Sequence, residues 1–179
     1  MIIYGNNLGD KDEWTVLTSY GADWSFNTGK PWTPVKLECT KIYNSTFVDD
    51  SSTKHFKNIS QGRIQIQNVP LNKHLVCNVS FQSILSQQSQ EWFDLYAGIY
   101  KTDSAGKNGL PVCEAQQVYS DHMITHTFVN SNPCAKFLNG DILYIFAYSN
   151  SSNRKVSMYR DAGGNFMKTY MKLQVLGIT

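Results

Sequence analysis

Directly behind the turn Asn139-Gly140-Asp141 runs Ile142-Leu143-Tyr144-Ile145-Phe146-Ala147-Tyr148, the longest apolar stretch in the chain. Asn-Gly followed by Asp favours positive φ and a tight reversal. Seven residues rich in β-branched and aromatic types have the length and character of a strand. The tyrosine hydroxyls are the only polar side-chain groups on either face, so both faces need cover. One face meets the domain's own core, and the other, carrying Ile142, Tyr144, Phe146 and Tyr148, is expected to meet something else.

Elsewhere the hydrophobic period is two. Ile64 and Ile66 oppose Arg63, Gln65 and Gln67, and Leu75, Cys77, Val79 and Phe81 oppose Val76, Asn78, Ser80 and Gln82. These read as two half-buried strands in a hairpin-like unit joined across residues 68–74. Val35 to Val48 reads as a strand before the turn Asp49-Asp50-Ser51-Ser52, and the Gln/Ser-rich segment 83–90 as a loop. Phe93, Leu95, Ala97 and Ile99 share a face opposite Asp94, Tyr96 and Tyr100. Residues 102–109 form a long turn, and strands are expected over 111–118 and through His122, Ile124, His126 and Phe128. Asn130-Ser131-Asn132-Pro133 reads as a turn leading into the central strand, which ends at 149–154. A short strand at 156–159 and a loop at 161–165 precede the last strand, 169–178, in which Met171, Leu173 and Val175 oppose Tyr170, Lys172 and Gln174. Apolar residues at helical spacing never persist over three turns between caps. The expectation is an all-β antiparallel sandwich or jelly roll.

Residues 1–34 differ. Turn signals at Asn6-Asn7-Leu8-Gly9-Asp10, Tyr20-Gly21-Ala22-Asp23 and Asn27-Thr28-Gly29-Lys30-Pro31 surround Trp14, Trp24 and Trp32. This segment reads as an irregular N-terminal arm or first hairpin, packed on its own sandwich or on a neighbouring chain, with the head spanning 35–179. The three tryptophans read first as buried anchors; the functional alternative is stacking on sugar through an exposed indole.

The polar surface is made of amides and hydroxyls more than charge. Charged residues are 17% against the usual ~25%, whereas Asn, Ser, Thr and Gln together number 54. A net charge of +2 supplies no basic field for nucleic acid or an anionic membrane. No run approaches the length of a membrane span, and the start, Met1-Ile2-Ile3-Tyr4-Gly5, lacks a basic and apolar leader pattern. Cys39, Cys77, Cys113 and Cys134 are too widely spaced for a zinc knuckle and read as reduced, mostly buried thiols, with two disulfides left open.

No catalytic signature accompanies these strands. On a strand, His122 and His126 share a face about 13 Å apart at ~3.3 Å per residue, too far for one ion. Asp121 beside His122, and Glu91 with Asp94, lack the elbow or helix that would make them catalytic. The loops at Asp49-Asp50 and Asp161 to Asn165 do not follow calcium-loop spacing. Sequons at Asn44, Asn58, Asn78 and Asn150 are expected by chance at this Asn, Ser and Thr content. The chain reads as a non-enzyme with no cofactor and no metal.

Leu138-x-Gly140-Asp141-Ile142-x-x-Ile145, followed by the terminal strand Thr169 to Leu176, resembles the last third of heads of the C1q and tumour-necrosis-factor type. Gly62 to Ile66, through Asn72 to Val76–Phe81, resembles the same family's paired strands. The resemblance covers about residues 55–179 and implies a jelly roll that trimerises through a flat aromatic and aliphatic face, here Ile142, Tyr144, Phe146, Tyr148 and Tyr170. Similar heads occur on bacteriophage tail fibres and capsids. The resemblance therefore implies a trimeric phage fibre or head-fibre knob, made in the host cytoplasm and carried on the virion, that binds a host-surface receptor or glycan. The receptor-binding residues would be Gln87, Gln88, Lys107, Asn108, Asn150 and Arg154. Other virion proteins would hold it through Trp14, Trp24 and Trp32; nucleic acid and membrane insertion are not expected. The alternatives are a purely structural capsid decoration or fibre-anchoring protein, and a secreted signalling ligand of the same fold.

Overall fold

Two antiparallel sheets face each other across a core of alternating side chains in a computed structural model, which describes residues 13–18, 24–39, 41–44, 52–59, 62–87, 91–120, 125–158 and 169–179. No described residue is helical, and no helix is long and apolar enough to cross a membrane. The strands are β1 (Trp14–Thr18), β2 (Trp24–Asn27), β3 (Val35–Lys36), β4 (Lys41–Asn44), β5 (Phe56–Ile59), β6 (Arg63–Ile66), β7 (Leu75–Gln87), β8 (Phe93–Thr102), β9 (Leu110–Tyr119), β10 (Thr125–Phe137), β11 (Ile142–Ser149), β12 (Lys155–Met158) and β13 (Tyr170–Ile178). In the first sheet β7 is central. It pairs with β10 on one side and with β13 and then β12 on the other; β1 and β4 continue beyond β13, and β2 lies beyond β12. The second sheet runs β5-β6-β11-β8-β9, with β3 beside β11.

The inward positions are those the alternation names. Cys77, Val79 and Phe81 of β7, Leu95, Ala97 and Ile99 of β8, Leu143, Ile145 and Ala147 of β11, and Met171, Leu173 and Val175 of β13 are all buried. They interdigitate as one cluster between the sheets.

Four expectations change. The pair 63–66 and 75–81 is not a hairpin: β6 bonds to β5 and β11 in one sheet, and β7 to β10, β12 and β13 in the other. Nor is 35–48 one strand. The chain leaves β11 after Lys36, crosses the core edge through the buried Leu37 and Cys39, and joins β1 at Lys41. Residues 83–87 are strand, because their polar side chains are bonded: Ser83 Oγ to Thr169 Oγ1 at 2.8 Å, Ser86 Oγ to Thr125 Oγ1 at 3.0 Å, and the Gln87 amide to the Ser120 carbonyl. Asn130 to Pro133 is also strand, with a register shift between Asn132 and Ala135 that accommodates a proline unable to donate.

The described parts of 1–34 pack on the chain's own sandwich. β1 pairs with β13 and β4, and β2 pairs with β12. Cys39, Cys77 and Cys113 are buried free thiols, and Cys134 is an exposed one.

Candidate functional site

Register places five aromatic side chains on the outer face of the β8/β11 pair. Tyr148 lies opposite Tyr96, Phe146 opposite Gly98, and Tyr144 opposite Tyr100. Tyr96 and Tyr148 stack with centroids 4.8 Å apart at 12°, and Tyr148 stacks on Phe146 at 5.6 Å and 12°. Tyr100 meets Phe146 edge-on at 5.2 Å and Tyr144 at 5.6 Å. Phe146 is thereby fully buried although it points away from the core. The second face of β11 is covered by the chain's own tyrosines, so its apolar content does not require a neighbour.

Trp32 completes the array from the turn before β3. Its backbone N–H donates to the Ser149 carbonyl at 2.8 Å, and its ring stands 5.6 Å from Tyr96 and 6.1 Å from Tyr148, inclined 50° and 53°. The Tyr148 hydroxyl donates to Glu114 Oε2 at 2.7 Å, and Glu114 lies opposite Gly98 on β9. Burial, then the Glu114 bond and charge, push the Tyr148 hydroxyl above its ordinary pKa. Tyr96 shifts the same way through burial, Asp94 and Glu114. Both rings therefore stay neutral phenols at physiological pH.

The other residues singled out in the sequence fall in several places. Ile142, Tyr144, Phe146 and Tyr148 share this outer face, but Tyr170 lies on the opposite sheet, beside Gln82 and Thr18. Gln87 is buried, and Gln88 lies outside the described residues. Lys107 and Asn108 are exposed in a turn organised by Asp103, which accepts from the N–H of Ala105 and Lys107 and from the Asn108 amide. Asn150 is a staple: its Oδ1 accepts from the Asp94 N–H at 3.0 Å and its amide donates to the Asp94 carboxylate at 3.1 Å. Arg154 pairs with Glu91 and lies over the Phe93 ring at 5.8 Å. Trp14 is half-buried on β1, Trp24 belongs to β2 opposite Met158, and Trp32 stands beside the other sheet. Asp121, His122, Asp49-Asp50 and the 161–165 loop lie outside the described residues. Among the described residues no group of three His, Cys, Asp or Glu side chains converges as a metal site.

The outer face of the β7 sheet is different in kind. Asn78, Ser80, Gln82, Ile84 and Ser86 point outward from its central strand, and none is charged. Tyr170, Lys172, Gln174 and Leu176 of β13 flank them on one side, Lys172 beside Ser80, and Thr127, Val129 and Ser131 of β10 on the other. The sequence shows this neutrality as the alternating polar row of β7. The Trp32 corner had no comparable signal, because it joins residues more than sixty positions apart.

No protein-family model matches the chain, and no curated protein sequence does. Solved structures do. The Eiger TNF of S. frugiperda superposes with a TM-score of 0.59 at 11% identity, covering 92% of each chain. Murine APRIL superposes with a TM-score of 0.57 at 8% identity, covering 92% of this chain and 98% of that one. At such identities the likeness is one of architecture, and the chain has a TNF-like antiparallel jelly-roll fold.

Proposed function

We propose that this chain is a non-enzymatic binding head that works as a homotrimer on a phage particle and attaches it to a molecule of the host surface. The observation that carries the reading is the pairing of a TNF-like jelly roll with an outer face on its β7 sheet whose central strand is uncharged. Self-association brings identical groups near one another, and an uncharged central strand avoids like-charge repulsion there, with Lys172 to its side. Of the residues expected at the interface, Tyr170 lies on that face, and with Ile84 and Val129 it supplies the apolar contact. On the β8/β11 sheet Phe146 is covered from within, while the exposed Trp32 beside it remains available for a ligand. Three copies of a weak site then act together, which raises avidity without new contacts.

Light scattering on the purified protein at micromolar concentration tests the assembly. A mass near three times 20.3 kDa is expected, and Ile84→Lys, which places a cation on the uncharged central strand of that face, should reduce it to the monomer mass without loss of folding. A monodisperse wild-type monomer would contradict the homotrimer. A trimer that adheres to no host cell would favour a purely structural decoration role.

A further inference from the structure

Trp32 is an expensive residue in its place. Its φ is 60°, in the left-handed region that bulky side chains avoid at about 1–3 kcal/mol. The other non-glycine residues with positive φ among the described residues are Asn68, Asn72, Asn108 and Asn153, all of the type that enters this region readily. Burial does not explain the exception, since Trp32 is 60% exposed.

The indole instead forms one wall of a corner whose other side is the stacked pair Tyr96 and Tyr148. A saturated ring in the chair form, with C–H bonds on one face and hydroxyls at its edge, fits such a corner, its C–H face meeting the exposed indole and its hydroxyls the polar edge. The surroundings suit hydroxyls: the Glu114 carboxylate accepts from Tyr148, and exposed Gln116 lies opposite Tyr96. A carboxylate beside the rings disfavours an anionic ligand. The three rings leave on the order of 300 Å² open, from the 150–250 Å² an aromatic side chain presents, well below the ~800 Å² per partner of a standard protein interface. The occupant is small.

We propose that Trp32, Tyr96 and Tyr148 form a carbohydrate platform that takes a neutral pyranose unit of a surface polysaccharide; this rests on the reading of the chain as a binding head. The backbone strain at Trp32 is then the cost of presenting an indole where asparagine would fit better. Replacing Trp32 by Asn should keep or raise the melting temperature while removing the wall of the site.

The test applies wild-type protein and the Trp32→Asn, Tyr96→Ala and Leu71→Ala variants, each checked for mass and melting, to a printed array of neutral bacterial and eukaryotic oligosaccharides. Retained sugars are then titrated by NMR. The expected result is a retained pyranose oligosaccharide bound at least tenfold more weakly by Trp32→Asn and Tyr96→Ala. Leu71→Ala, which alters an exposed leucine in the turn before β7, should bind as wild type does. Equal binding by Trp32→Asn would overturn the platform and leave the binding head standing. If wild-type trimer retains no oligosaccharide, the carbohydrate occupant is overturned while the trimer stands. A monomeric mass overturns the trimer whatever the sugar result.

Discussion

Gly98 sets the geometry of the aromatic face by what it lacks. A Cβ there would strike the Cys113 carbonyl and the Glu114 backbone of β9, so glycine lets the two strands approach this closely. Gly98→Ala should destabilise the fold by about 1–3 kcal/mol, read as a lowered urea midpoint. Tyr148 and the buried thiols predict alkaline sensitivity. Burial raises Cys39 from 9.0 to about 12 and Cys113 to about 11, and the Tyr148 hydroxyl is also raised. A group whose folded pKa lies above its unfolded value holds its proton longer when folded, so its stabilisation is complete below the unfolded value and is lost as pH rises through the folded one. Stability should fall from about pH 9 upward, by about 1.4 kcal/mol per pH unit for a buried thiol in its window. Tyr148→Phe should flatten the part of the decline above pH 10. A thiol reagent at neutral pH should modify Cys134 in the native protein and the other three cysteines only after unfolding.

The β9 and β10 strands, one from each sheet, are tied along their shared edge by amide side chains. Asn130 donates to the Glu114 carbonyl, Asn132 to the Val112 carbonyl at 3.1 Å, and Gln117 to the Thr127 carbonyl at 3.4 Å. Asn132 also accepts from the Cys134 N–H at 3.2 Å, across the bulge. Asn132→Ala should cost about 1–2 kcal/mol in chemical denaturation and increase amide exchange at Cys134, whose N–H loses its acceptor. The same element marks where sequence reading stops. Strict alternation identified the inward residues of β6, β7, β8 and β13 because burial of one face leaves a period of two, whereas β11 is apolar on both faces. Asn130-Ser131-Asn132-Pro133 looked like a turn because local propensity favours one, whereas carbonyls on β9, more than fifteen residues away, satisfy the amides in an extended chain. The split of β6 from β7, and of β3 from β4, was likewise hidden: alternation fixes which side chains face inward and says nothing of which strand lies alongside. Trp32 was visible as a tryptophan in a turn, but its tyrosine neighbours come from strands sixty and more residues later.

At the scale of the whole molecule, the two outer faces divide the work. The β7 sheet, whose central strand is uncharged with Lys172 beside it, is the proposed surface for identical copies, and the β8/β11 sheet offers an aromatic corner whose apolar residue Phe146 is already covered. The doubly apolar character of β11 had pointed to assembly through that strand, and the stacking of Tyr100 and Tyr148 on Phe146 removes the need for it. The most direct measurement is hydroxyl-radical footprinting of the wild-type protein beside its Ile84→Lys variant, with side-chain oxidation read by mass spectrometry. The account predicts that Tyr170 and Leu176 are protected in the wild-type trimer and become reactive in the variant, while Trp32 and Tyr96 oxidise equally in both. Protection of Trp32 and Tyr96 in the wild-type assembly, with Tyr170 unchanged, would contradict it.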